Sequence, residues 1–266
     1  MPYLFDNLDA VRKLLDLSPF GLITDIDGTI SEIAPYPDEA RVSPICREQL
    51  AILSRQLELV AAISGRPALE ARDMIGIDGM VYIGNHGLER WEDGVVKFVE
   101  GLQGYTEKVV AAQDELRTLL AMDGITFEDK GVALAIHYRS CLDPESARRS
   151  VLETIRASAI ADEFQTMEGK MVVELRPHLR VNKGTAVEAL ITGYRLKSGI
   201  YLGDDSSDVD AFTVMHQGDI QGLALAVTGE ETPHQVAMKA DYSLNGVSDV
   251  ERFLIWLAGA VPAPRK

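Results

Sequence analysis

Five short apolar runs set the strongest limit on how this chain can fold. They are GLITD (21–25), ELVAAIS (58–64), MVYIG (80–84), GIYLG (199–203) and LALAV (223–227). None shows the polar alternation of a strand with one wet face, so each reads as a strand covered on both sides, as in a parallel sheet. Helical patterns lie between them, over 43–56, 66–76, 182–195 and 206–217. Strand, helix, strand, helix predicts an α/β fold: a doubly wound, Rossmann-like parallel sheet with helices on both faces.

The middle of the chain departs from that rhythm. An amphipathic helical stretch at 105–122 precedes a hairpin pattern, ITFEDKGVALAIHYR, turning at Lys130–Gly131. A second helical stretch at 143–159 carries Pro144 and Glu145 in its first turn, and a second hairpin, FQTMEGKMVVELRP, turns at Gly169–Lys170. Helix, hairpin, helix, hairpin predicts a small α+β unit inserted at residues 103–178. The α/β core would then be assembled from residues 1–102 and 179–266.

Composition narrows the function classes. The 266 residues are 46% hydrophobic and 25% charged, with a net charge of −15. Such a surface repels nucleic acid and anionic membranes, so neither is expected as a partner. It repels a phosphorylated ligand as well, so any phosphate site needs its own local positive charge. Two cysteines, Cys46 and Cys141, stand far apart and in no CxxC pattern, which argues against a disulfide or a thiol-ligated metal. The start, MPYLFDNLDA, lacks the basic region of a signal peptide. No apolar run approaches the ~18 residues of a membrane span. The expected compartment is the cytoplasm.

In an open parallel sheet, ligands bind at the carboxyl ends of the strands. Here those ends carry chemistry. The first run ends in Asp25-Ile26-Asp27-Gly28-Thr29, the second in Ser64-Gly65-Arg66, the third in Gly84-Asn85-His86-Gly87 and the fourth in Gly203-Asp204-Asp205, with Asp208 close behind. Lys183 opens a helical pattern in VNKGTA. Two carboxylates as close as Asp25 and Asp27 repel each other unless something positive lies between them. Asp25 and Asp204 suit a hard cation shared through oxygen, as Mg²⁺ prefers. Ser64, Thr29 and the amides around Gly28 and Gly65 can donate to phosphate oxygens, with Lys183 adding a point charge. A calcium loop fails on spacing, because Ile30 and Val209 stand where that loop needs glycine.

The motifs DIDGT, SGR, NKG and GDDSSD occur in the order of the haloacid dehalogenase superfamily of phosphatases, which the chain resembles. The long insertion between the second and third motifs looks like that superfamily's second cap class. Finer details, GNHGLE, FEDKGVALAIHYR, GKMVVELRP, VNKG and GDDSSDVDAF, resemble trehalose-6-phosphate phosphatases. The resemblance runs from about Gly21 to Phe212.

That resemblance implies a Mg²⁺-dependent phosphatase acting on a sugar phosphate. Asp25 would be the nucleophile that takes up the phosphoryl group. Asp27 would be the general acid and then the base. The cation would be held by Asp25, Asp204 and the backbone carbonyl of Asp27, with Asp205 and Asp208 as outer ligands or orienters of bound water. Ser64 and Lys183 would stabilise the transferring phosphoryl group, and Thr29, Gly65, Arg66 and His86 would line its site. The inserted unit would read the sugar through Glu128, Lys130, His137, Arg139, Lys170, Glu174 and Arg176, and close over it. One departure stands out: the family pattern Thr-Asp-Glu is Ser207-Asp208-Val209 here, and Val209 offers no ligand. Sucrose phosphatases and mannosyl- or glucosyl-3-phosphoglycerate phosphatases share this core and cap class. They stay open as alternatives, as does a phosphosugar sensor without turnover.

Overall fold

A computed structural model describes residues 1–34, 36–92, 94–218, 220–229 and 232–261. In chain order its main elements are α1 (Leu8–Leu15), β1 (Phe20–Thr24), α2 (Pro44–Leu53), β2 (Leu59–Ile63), α3 (Ala68–Ile75), β3 (Val81–Gly84), β4 (Glu89–Glu92) and β5 (Val95–Phe98). There follow α4 (Tyr105–Leu119), β6 (Thr126–Asp129), β7 (Leu134–His137), α5 (Pro144–Ala157), β8 (Phe164–Gly169) and β9 (Val172–Pro177). The chain ends with α6 (Lys183–Tyr194), β10 (Ser198–Gly203), α7 (Val209–Met215), β11 (Gln221–Thr228), α8 (His234–Lys239), β12 (Tyr242–Asn245) and α9 (Gly246–Ala260). These fall into two compact units, residues 1–97 with 181–266, and residues 98–180.

The first unit is built on a sheet with the order β12-β11-β10-β1-β2-β3-β4-β5 among the described residues. All pairings from β12 to β3 are parallel, and β4 returns antiparallel beside β3. Successive residues of each central strand face opposite layers. Leu22, Val60, Ala62, Tyr82, Ile200 and Leu202 pack against α1, α2 and α9 through Val11, Leu50, Phe253 and Leu257. Ile23, Ala61, Ile63, Ile83, Tyr201 and Ala224 pack against α6, α7 and α8 through Val187, Leu190, Phe212 and Val236. Both faces are covered, which is why the sequence shows no alternation there. The chain is thus an α/β protein with a doubly wound sheet. β4 and β5 do not announce themselves in sequence, because they are mostly half-exposed or exposed and extend the sheet at its margin.

The second unit is a four-stranded antiparallel sheet, order β6-β7-β9-β8. Ile136, Val173, Leu175 and Phe164 lie on one face and form a core with Val109, Ala112 and Leu116 of α4 and Val151 and Ile155 of α5. Asp143 caps α5, accepting from the Ser146 amide at 3.0 Å, with Pro144 at its first position. Among the described residues, no helix of the chain is long and apolar enough to cross a membrane.

Candidate active site

The register of the first sheet gathers the motifs. Thr24 pairs with Leu202 of β10 and with Ala62 of β2, and Ile63 pairs with Ile83 of β3. The carboxyl ends of β10, β1, β2 and β3 therefore stand side by side. They bring Asp204, Asp25, Ser64 and Asn85–His86 to one edge.

The turn after β1 folds back on itself: the amides of Thr29, Ile30 and Ser31 all donate to the Ile26 carbonyl at 2.9–3.2 Å, and Gly28 donates to Ser31 at 2.8 Å. Gly28 has φ +79°, and a Cβ there would come within 2.1 Å of an Asp204 carboxylate oxygen. Only glycine lets the turn approach Asp204 so closely. Thr29 Oγ1 donates to Asp204 Oδ1 at 3.3 Å.

Lys183, the first residue of α6, is buried. Asn182 and Thr185 form a reciprocal cap that fixes this helix start. Lys183 Nζ reaches Asp25 Oδ2 at 2.7 Å and Asp208 Oδ1 at 2.8 Å. Burial alone would lower the lysine pKa, but Asp208 and Asp25 overturn that and raise it, so it stays charged. Asp25 is pushed well above the usual carboxylate range by burial, which Lys183 opposes and Asp208 and Asp204 reinforce.

Asp208 is fully buried, and both its oxygens are occupied. Oδ1 accepts from Lys183 and from the Tyr201 hydroxyl at 2.7 Å, and Oδ2 accepts from the amides of Asp204 and Asp205 at 3.0 Å each. It is a strut that holds the lysine and the Asp204 loop together. Asp205 turns aside and caps the next turn, accepting from the Ser206 amide at 2.6 Å.

Asp25, Asp204 and Asp208 each present an oxygen within 4.8 Å of the others. Lys183 meets two of these three carboxylates, which leaves an excess of negative charge in a largely buried place, and all donors are hard oxygens. With Asp208 engaged by four donors, Asp25 and Asp204 are the carboxylates that fit a divalent cation of the Mg²⁺ or Ca²⁺ kind. Asp27 and Asp205 stand outside this trio.

Asp27 binds Arg66 bidentately, at 2.7 Å from Nε and 2.9 Å from an Nη. Ser64 is buried, and its Oγ accepts from the Arg66 amide at 3.1 Å. Asn85 and His86 both take positive φ, 48° and 57°, in the turn after β3. The His86 ring lies against Gly65, where a Cβ would come within 2.6 Å of Nε2. Buried Glu89 accepts from the Ala68 amide and so caps α3, locking this turn to the one that carries Ser64.

In the second unit, Glu128, His137, Glu174 and Arg176 share the sheet face opposite the helices. Glu128 meets His137 Nε2 at 2.7 Å, Glu174 meets Lys130 at 2.7 Å, and Arg176 Nε donates to Glu174 at 2.7 Å. Arg139 lies past the end of β7 and donates to the Lys170 carbonyl at 3.4 Å. Tyr201, Glu89 and Glu70, the last paired with Arg66, are not expected from sequence. Tyr201 and Glu89 sit in or beside strands, and the one local signal was a hydroxyl or carboxylate in a run of buried residues. Both cysteines are buried and not in a disulfide, and burial pushes the Cys46 thiol up to about 12.

Comparison with known proteins identifies a family and a shared fold. A model of the trehalose-phosphatase family matches residues 23–248. The chain is 32% identical over 211 residues to the trehalose-phosphate phosphatase of Mycolicibacterium paratuberculosis, covering 76% of this chain and 53% of that protein. It is 29% identical over 247 residues to the trehalose-6-phosphate phosphatase of Escherichia coli, covering 91% and 88%. The chain spans about half the length of the mycobacterial trehalose-phosphate phosphatases it matches. Among solved structures, the C-terminal domain of a C. albicans trehalose-6-phosphate phosphatase superposes with a TM-score of 0.78 at 24% identity, over 97% of this chain and 98% of that one. A haloacid dehalogenase subclass IIB sugar phosphatase superposes with a TM-score of 0.56 at 15% identity, over 90% and 99%. These two likenesses show a shared fold.

Proposed function

The chain belongs to the trehalose-phosphatase family, and from that premise we propose that it is a Mg²⁺-dependent phosphatase that hydrolyses trehalose 6-phosphate to trehalose and phosphate. The observation that carries the reading is the buried contact of Asp25 with Lys183 beside Asp204 and Asp208, at the carboxyl ends of adjacent strands. A carboxylate so placed is buried and anchored, with one oxygen on Lys183 and the other accepting from the Ile26 amide at 2.7 Å.

Asp25 Oδ attacks phosphorus as the bond from phosphorus to the sugar oxygen breaks, and Asp27 delivers the proton to that oxygen. Water then attacks the phosphorus of the aspartyl-phosphate, Asp27 takes its proton, and phosphate leaves with Asp25 regenerated. Lys183 balances charge on the phosphoryl oxygens while remaining tied to Asp208, and Ser64 and Thr29 offer hydroxyls to the same group. The backbone amides near Gly28 and Gly65 are assigned to phosphate as well. Asp25, Asp204 and the Asp27 carbonyl are the proposed holders of Mg²⁺, and Asp208 and Asp205 order the loop behind them. When bound, the cation offsets the negative charge of the phosphate and the carboxylates.

Sugar recognition is assigned to the polar sheet face of the 98–180 unit, with Glu128, Lys130, His137, Glu174 and Arg176 as its hydrogen-bonding groups and Arg139 and Lys170 beside them. His86 is assigned to the phosphate side of the site.

The test is phosphate release from trehalose 6-phosphate, sucrose 6-phosphate, mannosyl- and glucosyl-3-phosphoglycerate and glucose 6-phosphate, each with Mg²⁺ and with excess EDTA. Strong preference for trehalose 6-phosphate, abolished by EDTA, is expected. Preference for another sugar phosphate would keep the core chemistry and discard the sugar assignment. Release from none would leave a binding protein.

A further inference from the structure

Arg66 follows the Ser64–Gly65 turn, where sequence alone places it among the ligands of the substrate phosphate. Its contacts point elsewhere. Nε donates to Asp27 Oδ2 at 2.7 Å, one Nη donates both to Asp27 Oδ1 at 2.9 Å and to the Pro37 carbonyl at 2.8 Å, and the other Nη pairs with Glu70. Four of the five N–H groups that a guanidinium offers are so engaged. The side chain is 9% exposed. Its main chain is fixed too, since its amide donates to Ser64 Oγ and its carbonyl accepts from Asn85. The fork thus ties three separate segments: the turn after β1, the loop at Pro37 and the first turn of α3.

A side chain buried and held at four points cannot swing to an incoming phosphate without breaking several charge-assisted hydrogen bonds. Its planar fork does match a carboxylate, and two parallel bonds fix both the distance and the plane of the Asp27 group. Asp27 is itself 36% exposed on its side chain, and without the fork its short chain would sample several rotamers.

We propose that Arg66 is a positioning residue for Asp27, which sets the carboxylate in line with the leaving oxygen, and that it is not a ligand of the transferred phosphoryl group. The assignment rests on the function proposed above. Loss of the fork should hurt a reaction in proportion to its need for a positioned proton donor. An alkyl leaving group such as the sugar needs that proton. The nitrophenolate of p-nitrophenyl phosphate leaves as the anion and does not. A phosphate ligand would matter equally to both, because both carry the same phosphoryl group.

The experiment compares kcat/KM of the wild type, Arg66→Met, Arg66→Lys and Asp27→Asn on trehalose 6-phosphate and on p-nitrophenyl phosphate, with Mg²⁺ saturating. Arg66→Met is expected to lose about 10²-fold on the sugar phosphate, the low end for general acid–base help. Its loss on the aryl phosphate should be at least tenfold smaller, which also shows that the variant is folded. Arg66→Lys, with one point donor in place of a fork, should fall between. The double variant Arg66→Met/Asp27→Asn should be no slower on the sugar phosphate than Asp27→Asn alone. Inhibition by inorganic phosphate should be unchanged in Arg66→Met. Equal losses on the two substrates, additive losses in the double variant, or weakened phosphate inhibition would each overturn the assignment. A wild type that releases phosphate from neither compound would overturn the proposed function and this assignment with it.

Discussion

At the scale of single residues, the site is a problem of burying charge. Lys183 and Asp208 are almost wholly removed from water, and Asp25 nearly so. A buried ion becomes tolerable only when its partners are in place. Lys183→Met would leave Asp25 and Asp208 without their shared cation. It is expected to lower the unfolding free energy by about 3–5 kcal/mol, read from urea denaturation, and to remove turnover. An unchanged denaturation midpoint would mean that the lysine has no structural share. Sequence spacing places Asp25 and Asp204 at strand ends and Lys183 at a helix start, and the structure brings these three together with Asp208. Spacing could not reveal that Asp208 spends both oxygens on four donors. That depends on the Tyr201 hydroxyl and on two amides turned inward, neither of which leaves a trace in composition. The pairing of Asp27 with Arg66 was equally hidden, since it joins two turns 39 positions apart.

At the scale of elements, close approach of backbones decides the geometry. Gly84 ends β3 where a Cβ would sit 2.1 Å from the Ala68 nitrogen of α3. Neither backbone can yield cheaply, so Gly84→Ala is expected to cost about 3 kcal/mol, the upper range for overpacking, in a denaturant melt. A midpoint matching the wild type would show that α3 is free to shift. On the second sheet, Glu128 pairs with Ala135, which places His137 diagonally across β7. Burial pushes the Glu128 pKa up, but the hydrogen bond from His137 and the charge of Lys130 outweigh it, and the net shift is downward. A carboxylate with a lowered folded pKa adds stability above its ordinary value of about 4.3 and loses it as the pH falls through the folded value. The melting temperature of Glu128→Gln should therefore trail the wild type at about pH 6, and the gap should narrow as the pH falls below about 4.3. A gap that widens on acidification would contradict the pairing. The hairpins of this unit were legible from alternation and turn residues. β4 and β5 were not, because a partly exposed margin of a sheet carries no continuous apolar run.

At the scale of the whole molecule, a net charge of −15 would oppose the approach of the proposed phosphorylated substrate. Screening should relieve that opposition. With Mg²⁺ fixed and saturating, kcat/KM on trehalose 6-phosphate is expected to rise about two- to threefold between ~20 and ~200 mM NaCl, as the Debye length falls below about 10 Å. A steep fall would mean that a local positive field governs capture. The charge balance and the doubly wound fold were readable from the chain because both are averages over many residues. The proposed substrate rests on resemblance, since the polar face of the 98–180 unit carries hydrogen-bonding groups that would suit many sugars. The central claim is chemical: Asp25 carries the phosphoryl group. It is tested most directly by quenching turnover of trehalose 6-phosphate with borohydride, which reduces an aspartyl-phosphate to homoserine, and mapping the peptides by mass spectrometry. Homoserine at position 25, absent without substrate, is the expected result. Homoserine at another aspartate, or continued turnover by Asp25→Asn, would contradict the account.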